Sequence, residues 1–236
     1  MTLGSLRRTF DGPSLGDFLA AQARDLGLLT VLAVGLVVAT RHSESKGPVA
    51  WALLGVLVVI FLFRVARRAL MSERLELFEH GLRFTRGRER PRELRFSDVA
   101  SLQTAFIETH HERGAANDSW VLVRGMDGTE IELTPAVGGL AGLADALAES
   151  TLPYLGPRAI ARIEAGEEID FGVLHASRDG LRLGNDRVAW VDLGHLGLAA
   201  GKVRLRSKAD PRHELAAPLG SVANWHVLLH LATRYA

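Results

Sequence analysis

The sequence predicts an α+β protein: an N-terminal transmembrane helical hairpin followed by two tandem units, each an antiparallel β barrel or sheet with a closing helix. Three observations predict this class. Two stretches without an ionisable residue precede Arg64, short β-type runs separated by turn residues begin near residue 73, and the order of these runs recurs after residue 167. We therefore divide the chain into an N-terminal segment (1–25), the hairpin (26–63), a first unit with a connecting helix (73–166) and a second unit (167–236).

The composition excludes several classes of function. The 236 residues carry a net charge of +1, which argues against the broad positive field of a dedicated nucleic-acid binder. The chain has no cysteine, so disulfide frameworks, thiolate metal sites and cysteine nucleophiles are excluded. The hydrophobic fraction of 47% is unevenly distributed and is concentrated before Arg64.

Residues 26–40 and 47–63 are apolar on every side, because no ionisable residue interrupts either stretch. A surface helix would show polar residues every three or four positions, so both stretches require burial all round. The first is shorter than the roughly 20 residues that cross a hydrocarbon core about 30 Å thick, but the flanking Arg24 and Arg41 can extend it by reaching the interface. Lipid is the predicted environment. The alternative is a buried hairpin inside a globular domain.

Cationic residues around the two stretches predict their orientation. Arginines are more numerous outside the hairpin than in its loop: Arg7, Arg8 and Arg24 precede it and Arg64, Arg67, Arg68 and Arg74 follow it, against Arg41 and Lys46 between the stretches. Positive residues favour the cytoplasmic side of a membrane. We therefore expect an integral protein of the inner membrane with two spans and both termini in the cytoplasm.

The β-rich part contains an internal repeat at the level of single residues. Residues 81–84 (GLRF) correspond to 180–183 (GLRL), 96–99 (FSDV) to 190–193 (WVDL), and 132–133 (EL) to 214–215 (EL). The paired glycines suit tight turns, and the paired aromatic residues suit an inward position on a strand. The paired aspartates, Asp98 and Asp192, are expected to bond backbone N–H groups of a turn rather than to catalyse.

Each unit is predicted to close with helical structure. In the first unit, residues 136–150 and 158–165 have helical patterns, and Gly166 can end the second of them. In the second unit, Ser221 is the expected N-cap, before an apolar stripe of Val222, Trp225, Leu228, Leu229 and Ala232. Short strands with one closing helix are the plan of a pleckstrin-homology-like barrel, abbreviated PH-like below, while the periodicity alone predicts only a small β-rich unit with a helix.

Four short motifs resemble an uncharacterised bacterial family with a domain of unknown function. They are LELFEHGL at 75–82, FSDV at 96–99, DFG at 170–172 and VANW at 222–225. The resemblance covers about residues 73–236. It implies membrane-anchored proteins with PH-like domains, in which such modules often follow a pair of transmembrane helices, and it implies no activity.

The most suggestive polar feature is an arginine-rich loop between early strands. It contains Arg86, Arg88, Arg90 and Arg92. Such a loop can contact anionic lipid headgroups, since each basic residue near an anionic leaflet contributes about 1 kcal/mol. Glu89 and Glu93 dilute its charge, so a solvated hairpin is the alternative.

The histidine pairs in the sequence are not predicted to form a metal site. His226 and His230 stand four apart on the last helix, but no third ligand is evident in the sequence. His110, His111 and Glu112 lie in a polar loop, and the glycines at 138–139 form a turn before a helix. We predict neither a metal nor a cofactor.

Three hypotheses of function remain open. The first is a cytoplasmic binding or scaffolding module that engages a protein partner or anionic lipid through open β-edges, the groove beside the closing helix or the arginine loop. The second is a structural homo-oligomeric membrane component without a small ligand. The third, an enzyme, is disfavoured because no nucleophile, base and orienting group can be assembled from the motifs.

Overall fold

A computed structural model of the chain describes residues 3–12, 55–56, 59, 73–87, 89–105, 119–135, 137–210, 212 and 214–236. Within these ranges the protein is built from antiparallel sheets and helices, and one order of elements occurs twice.

The first unit consists of a four-stranded sheet, a three-stranded sheet and a helix. The first sheet has the order β1 (Leu6–Asp11), β2 (Glu73–Phe78), β3 (Gly81–Arg86) and β4 (Arg92–Arg95). A 3₁₀ turn (Phe96–Asp98) leads to the second sheet, formed by β5 (Val99–Ala105), β6 (Trp120–Gly125) and β7 (Glu130–Leu133). Helix α1 (Leu140–Glu164) follows.

The second unit has the same order of elements. Its four-stranded sheet contains β8 (Ile169–Asp170), β9 (Leu174–Ala176), β10 (Gly180–Leu183) and β11 (Asp186–Ala189). A 3₁₀ turn (Trp190–Asp192) leads to β12 (Leu193–Ala199), β13 (Lys202–Ser207) and β14 (Glu214–Pro218). A last 3₁₀ turn (Leu219–Ser221) precedes helix α2 (Trp225–Tyr235).

Strand β1 joins the first sheet from far away in the sequence. Asp11 is paired with Arg74, and the Gly12 N–H donates to the Glu73 carbonyl at 3.1 Å. The predicted N-terminal segment, residues 1–25, thus contributes a strand to the first unit. Gly12 and Glu73, which border residues 13–72, therefore lie next to each other in this sheet.

The predicted transmembrane fold class requires a correction. No helix in the described ranges is long and apolar enough to cross a membrane. Helix α1 has the length, but charged residues such as Asp145 and Arg158 interrupt it. The predicted hairpin, residues 26–63, lies outside the described residues apart from 55–56 and 59.

For the described chain, three predictions are therefore wrong: the fold class with an N-terminal transmembrane hairpin, the two-span integral membrane protein, and the inner-membrane localisation. The physical reason lies in the length of the stretches. A membrane span typically takes about 20 apolar residues, and hydropathy does not distinguish a shorter stretch from a helix buried against protein.

The connecting helix is one element where the sequence predicted two. Helix α1 is continuous through Pro153 and Pro157, each of which lacks an N–H donor. Buried side chains on both sides of the prolines, including Leu147 and Ile163, hold it by packing. The predicted end at Gly166 is confirmed: this glycine has φ +84°, and its N–H donates to the Ile163 carbonyl at 2.9 Å.

The start of α2 also differs from the prediction. The residue at the N-cap is Asn224, with φ +51°, whereas the Ser221 hydroxyl donates to the Pro218 carbonyl at 2.7 Å. Isolated β-bridges at Val222 and Ala223 keep this segment extended, so the helix cannot begin earlier. Leu229, predicted within the apolar stripe, is exposed.

The repeat is visible in the strand register, with one shift against the predicted alignment. The 3₁₀ turns place Phe96 and Trp190 in the core at equivalent positions. Glu130 pairs with Arg124 as Glu214 pairs with Arg206, so Glu214 corresponds to Glu130 and not to Glu132. The predicted alignment was shifted because the β6–β7 and β13–β14 hairpins have turns of different length, which sequence similarity alone does not reveal.

The two units share one hydrophobic core. Helix α1 packs on β5 and β6 of the first unit and on α2 and β8 of the second. Side chains of both units, such as Phe96 and Phe171, belong to one buried cluster. The units are therefore packed together through α1.

Candidate functional site

Two of the eight sheet edges in the described chain have no charged residue. The edge strands are β1, β4, β5, β7, β8, β11, β12 and β14. Each has at least one charged side chain except β5 (VASLQTA) and β12 (LGHLGLA). Charged residues and proline normally protect an edge from pairing with another strand. The sequences of β5 and β12 therefore indicate edges that pair.

The edge of β5 is covered by the start of the second unit's helix. The Asn224 N–H donates to the Leu102 carbonyl at 2.7 Å, and the Leu102 N–H donates to Asn224 Oδ1 at 2.8 Å. Asn224 Nδ2 donates to the Ala100 carbonyl at 3.3 Å, and Ala223 forms a β-bridge with Gln103. We call residues 222–224 the latch segment.

Strand β12 occupies the position in the second unit that β5 occupies in the first. Both have an irregularity after their first residue, and Leu196 faces Leu205 as Leu102 faces Val123. N–H and C=O groups of alternate residues in an antiparallel strand point to opposite sides. Leu196 therefore directs its main-chain groups towards the outer edge, as Leu102 does.

No described segment covers β12. Among the residues with described positions, β12 pairs with β13 alone, and no residue outside the sheet bonds to Leu196. His195 and Ala199 are exposed, and Leu198 has 47% of its surface accessible. The strand thus offers a row of main-chain donors and acceptors.

A small cavity lies between β5, α1 and the start of α2, and Leu198 is the residue of β12 that lines it. It has a volume of about 140 Å³, and its apolar wall includes Leu198, Leu219 and Trp225. Asp145 of α1 and His226 of α2 also line it. The cavity can take one aliphatic side chain of a segment that pairs with β12.

His226 is fixed in its neutral form at the junction of the two helices. Its Nε2 atom lies 3.1 Å from the hydroxyl of Thr151, which itself donates to the Leu147 carbonyl at 2.8 Å. The single hydroxyl proton is thereby used, so Nε2–H is the donor to Thr151. Burial lowers the pKa of His226 from 6.5 to about 4.

The two helix histidines do not meet at a metal site. His230 is exposed and lies against Gly156 of α1. No group of three potential metal-binding side chains occurs in the described ranges. His110, His111 and Glu112 lie outside them.

The predicted anionic-lipid contacts are engaged in part with other groups. Arg86 forms an ion pair with the buried Glu73 at 2.6 Å, and Arg92 donates to the Glu130 carbonyl at 3.1 Å. Arg90 is exposed, and Arg88 lies outside the described residues. The four arginines therefore do not act as four independent cations.

The paired aspartates act through the main chain. The Asp98 carbonyl accepts from the Met126 N–H at 2.8 Å, and the Asp192 carbonyl accepts from the Lys208 N–H at 2.6 Å. The Asp98 carboxylate accepts from the Ser97 hydroxyl instead of from a turn N–H. These equivalent bonds connect the 3₁₀ turn to the same hairpin in both units.

Strand β12 was not predicted as a binding edge, although its sequence carries a signal. Runs 99–105 and 193–199 are free of charge and proline, unlike the other edge strands. Recognising that signal requires knowing which strands lie at an edge, and sequence periodicity does not give the strand order.

Comparisons with known proteins identify a family for this chain but no activity. No curated protein and no solved structure matches the chain. A family of unknown function matches residues 2–236, which is nearly the whole chain. On that match, the protein belongs to DUF6585, a family of unknown function.

Proposed function

We propose that the protein is a non-catalytic binding or scaffolding protein, and that its second unit holds an extended segment of a protein partner on strand β12. One observation carries the proposal: of two equivalent charge-free edges, β5 is covered by the latch segment, whereas β12 has no partner on its outer edge among the residues that the structure describes. In this proposal the two units are PH-like, since each has a four-stranded sheet, a three-stranded sheet and a closing helix.

Strand addition supplies both affinity and selectivity in this proposal. Main-chain hydrogen bonds to an exposed edge give affinity for any extended segment, and pockets for alternate side chains give selectivity. Leu196 supplies the main-chain groups, and the cavity beside Leu198 and Trp225 supplies the pocket.

A protein segment is favoured over an anionic lipid headgroup as the ligand. The β12 edge has no lysine or arginine. In the arginine loop, the ion pairs of Arg86 with Glu73 and of Arg92 with Glu89 reduce the charge that a headgroup would meet.

The proposal is tested by selecting peptides from a random library on the purified full-length protein. We expect selected peptides to bind the parent protein and to lose binding when Leu198→Lys puts a charge on the edge. Val191→Lys is the matched control, because Val191 is also an exposed aliphatic residue but lies in the 3₁₀ turn before β12.

Two results would contradict the proposal. One is that no selected peptide distinguishes Leu198→Lys from Val191→Lys. The other is a dimer in light scattering that Leu198→Lys dissociates, because the occupant of β12 would then be a second copy, as in a structural homo-oligomer.

A further inference from the structure

We propose that the segment recognised by β12 contains an asparagine whose side-chain amide bonds to the Leu196 N–H and the Gly194 carbonyl. This inference rests on the proposed function and specifies the chemistry of the partner: an uncharged extended segment with a small apolar residue two positions before the asparagine. The latch segment on β5 is the internal example of such an occupant.

The latch segment shows how such an occupant sits on this kind of edge. Val222 is fully buried, Ala223 pairs with Gln103, and Asn224 holds both Leu102 and Ala100. Three hydrogen bonds thus come from one asparagine, two through its side chain and one through its main-chain N–H.

Asparagine suits the edge because of the irregularity in the strand. Ala100 is the extra residue of β5, and there a straight partner strand loses register. An asparagine side chain offers a donor and an acceptor together, and so it can bond to a carbonyl and an N–H at this point. An aspartate lacks the donor, and a leucine lacks both groups.

The equivalent residues of β12 leave room for the same interaction. Gly194 replaces Ala100 and Gly197 replaces Gln103, so neither position has a side chain of its own, and the ring of His195 stands 2.6 Å from where a Cβ on Gly197 would lie. In the first unit, the ring of Trp120 stands 3.2 Å from where a Cβ on Gly220 would lie. In the second unit, the exposed Lys202 occupies the position of Trp120. A partner segment on β12 therefore needs no glycine at the position equivalent to Gly220.

The test uses a synthetic peptide with the sequence of residues 218–225 (PLGSVANW), labelled with a fluorophore and titrated with the full-length protein. We expect saturable binding by fluorescence anisotropy. Replacing the peptide's asparagine with leucine removes two hydrogen bonds and is expected to weaken binding about tenfold or more.

Protein variants locate the binding site. Leu198→Lys is expected to abolish peptide binding and Val191→Lys to preserve it. His195→Glu, a second exposed position on β12, provides an independent change if Leu198→Lys perturbs folding as judged by circular dichroism. Peptide binding that neither β12 variant alters would mean displacement of the latch segment from β5, and it would overturn the inference.

Failure of the inference is distinguishable from failure of the proposed function. If library peptides bind at β12 but show no enrichment of asparagine, and the asparagine and leucine peptides bind equally, docking stands and the asparagine proposal is overturned. If no peptide depends on β12, the proposed function itself fails, and the inference fails with it.

Discussion

Asn224, the N-cap residue before the closing helix of the second unit, bonds to Leu102 of the first unit through both its main chain and its side chain, at 2.7 and 2.8 Å. The N-cap of α2 is therefore also a strand partner of β5. Its φ of +51° lies in the left-handed region, which asparagine tolerates better than most residues. One residue thus sets both where the helix begins and how the units join.

Replacing Asn224 is expected to destabilise the whole protein. Asn224→Ala removes two side-chain hydrogen bonds and puts a residue that tolerates the left-handed region less well than asparagine at this position, for a loss of about 2–3 kcal/mol in the free energy of unfolding. Asn224→Gly removes the same bonds but suits the backbone, so its loss should be about 1 kcal/mol smaller. Urea denaturation measures both, and a Gly variant that is less stable than the Ala variant would contradict this account.

The arginines that the sequence singled out are expected to matter for stability to different degrees. Glu73 has only 5% of its surface accessible, and Arg86 binds it at 2.6 and 2.9 Å. Arg86→Ala leaves this buried carboxylate without its cation and should destabilise the protein by about 2–3 kcal/mol in thermal or urea unfolding.

Arg92→Ala is the matched control for Arg86→Ala. Its ion pair with Glu89 is exposed and long, at 3.8 Å, and its hydrogen bond to the Glu130 carbonyl is also exposed, so the loss should stay below about 1 kcal/mol. Adding Glu73→Leu to Arg86→Ala should restore part of the lost stability, because it removes the uncompensated charge. Equal losses from the two arginine variants would show that the buried carboxylate is not the cause.

Local patterns predicted the strands and the doubled order of elements better than they predicted the contacts between elements. Alternating apolar residues and the repeated glycine positions were sufficient for β3 and β10, whereas Phe96 and Trp190, predicted on strands, are buried in 3₁₀ turns. The latch segment could not be predicted, because its partners are more than a hundred residues away in the sequence. Helix α1 crosses two prolines for a similar reason: tertiary packing overrides the local tendency to stop.

The paired glycines at the start of β3 and β10 give a prediction about the repeat. A β-carbon on Gly81 would lie 2.5 Å from the Leu94 carbonyl oxygen, and one on Gly180 would lie closer still to the Val188 carbonyl. Gly81→Ala and Gly180→Ala should therefore each lower the unfolding midpoint in urea, by about 1–3 kcal/mol in free energy.

Gly142 in the first turn of α1 provides the control for these substitutions. Nothing lies within 4 Å of a β-carbon placed there, and alanine is the better helix former. Gly142→Ala should thus stabilise the protein by about 0.5–1 kcal/mol. Paired glycines that accept alanine as readily as Gly142 would contradict the close main-chain approach in both units.

The partly buried His226 predicts a loss of stability in mild acid. Burial lowers its pKa in the folded protein from 6.5 to about 4, so the unfolded chain binds a proton more readily than the folded one. The stability that the neutral ring contributes is complete above pH 6.5 and is lost as the pH falls from 6.5 towards 4. The loss can reach about 3 kcal/mol, since each unit of pKa difference corresponds to about 1.4 kcal/mol.

Unfolding free energies measured at pH 7.5 and 4.5 test this prediction with a pair of variants. His226→Gln keeps a donor that can reach Thr151 but cannot be protonated, so the difference between the two pH values should shrink relative to the parent protein. His230→Gln changes an exposed ring and should leave the difference unchanged. If His226→Gln retains the full acid sensitivity of the parent, the sensitivity arises from carboxylates elsewhere, and the junction of α1 and α2 is not its source.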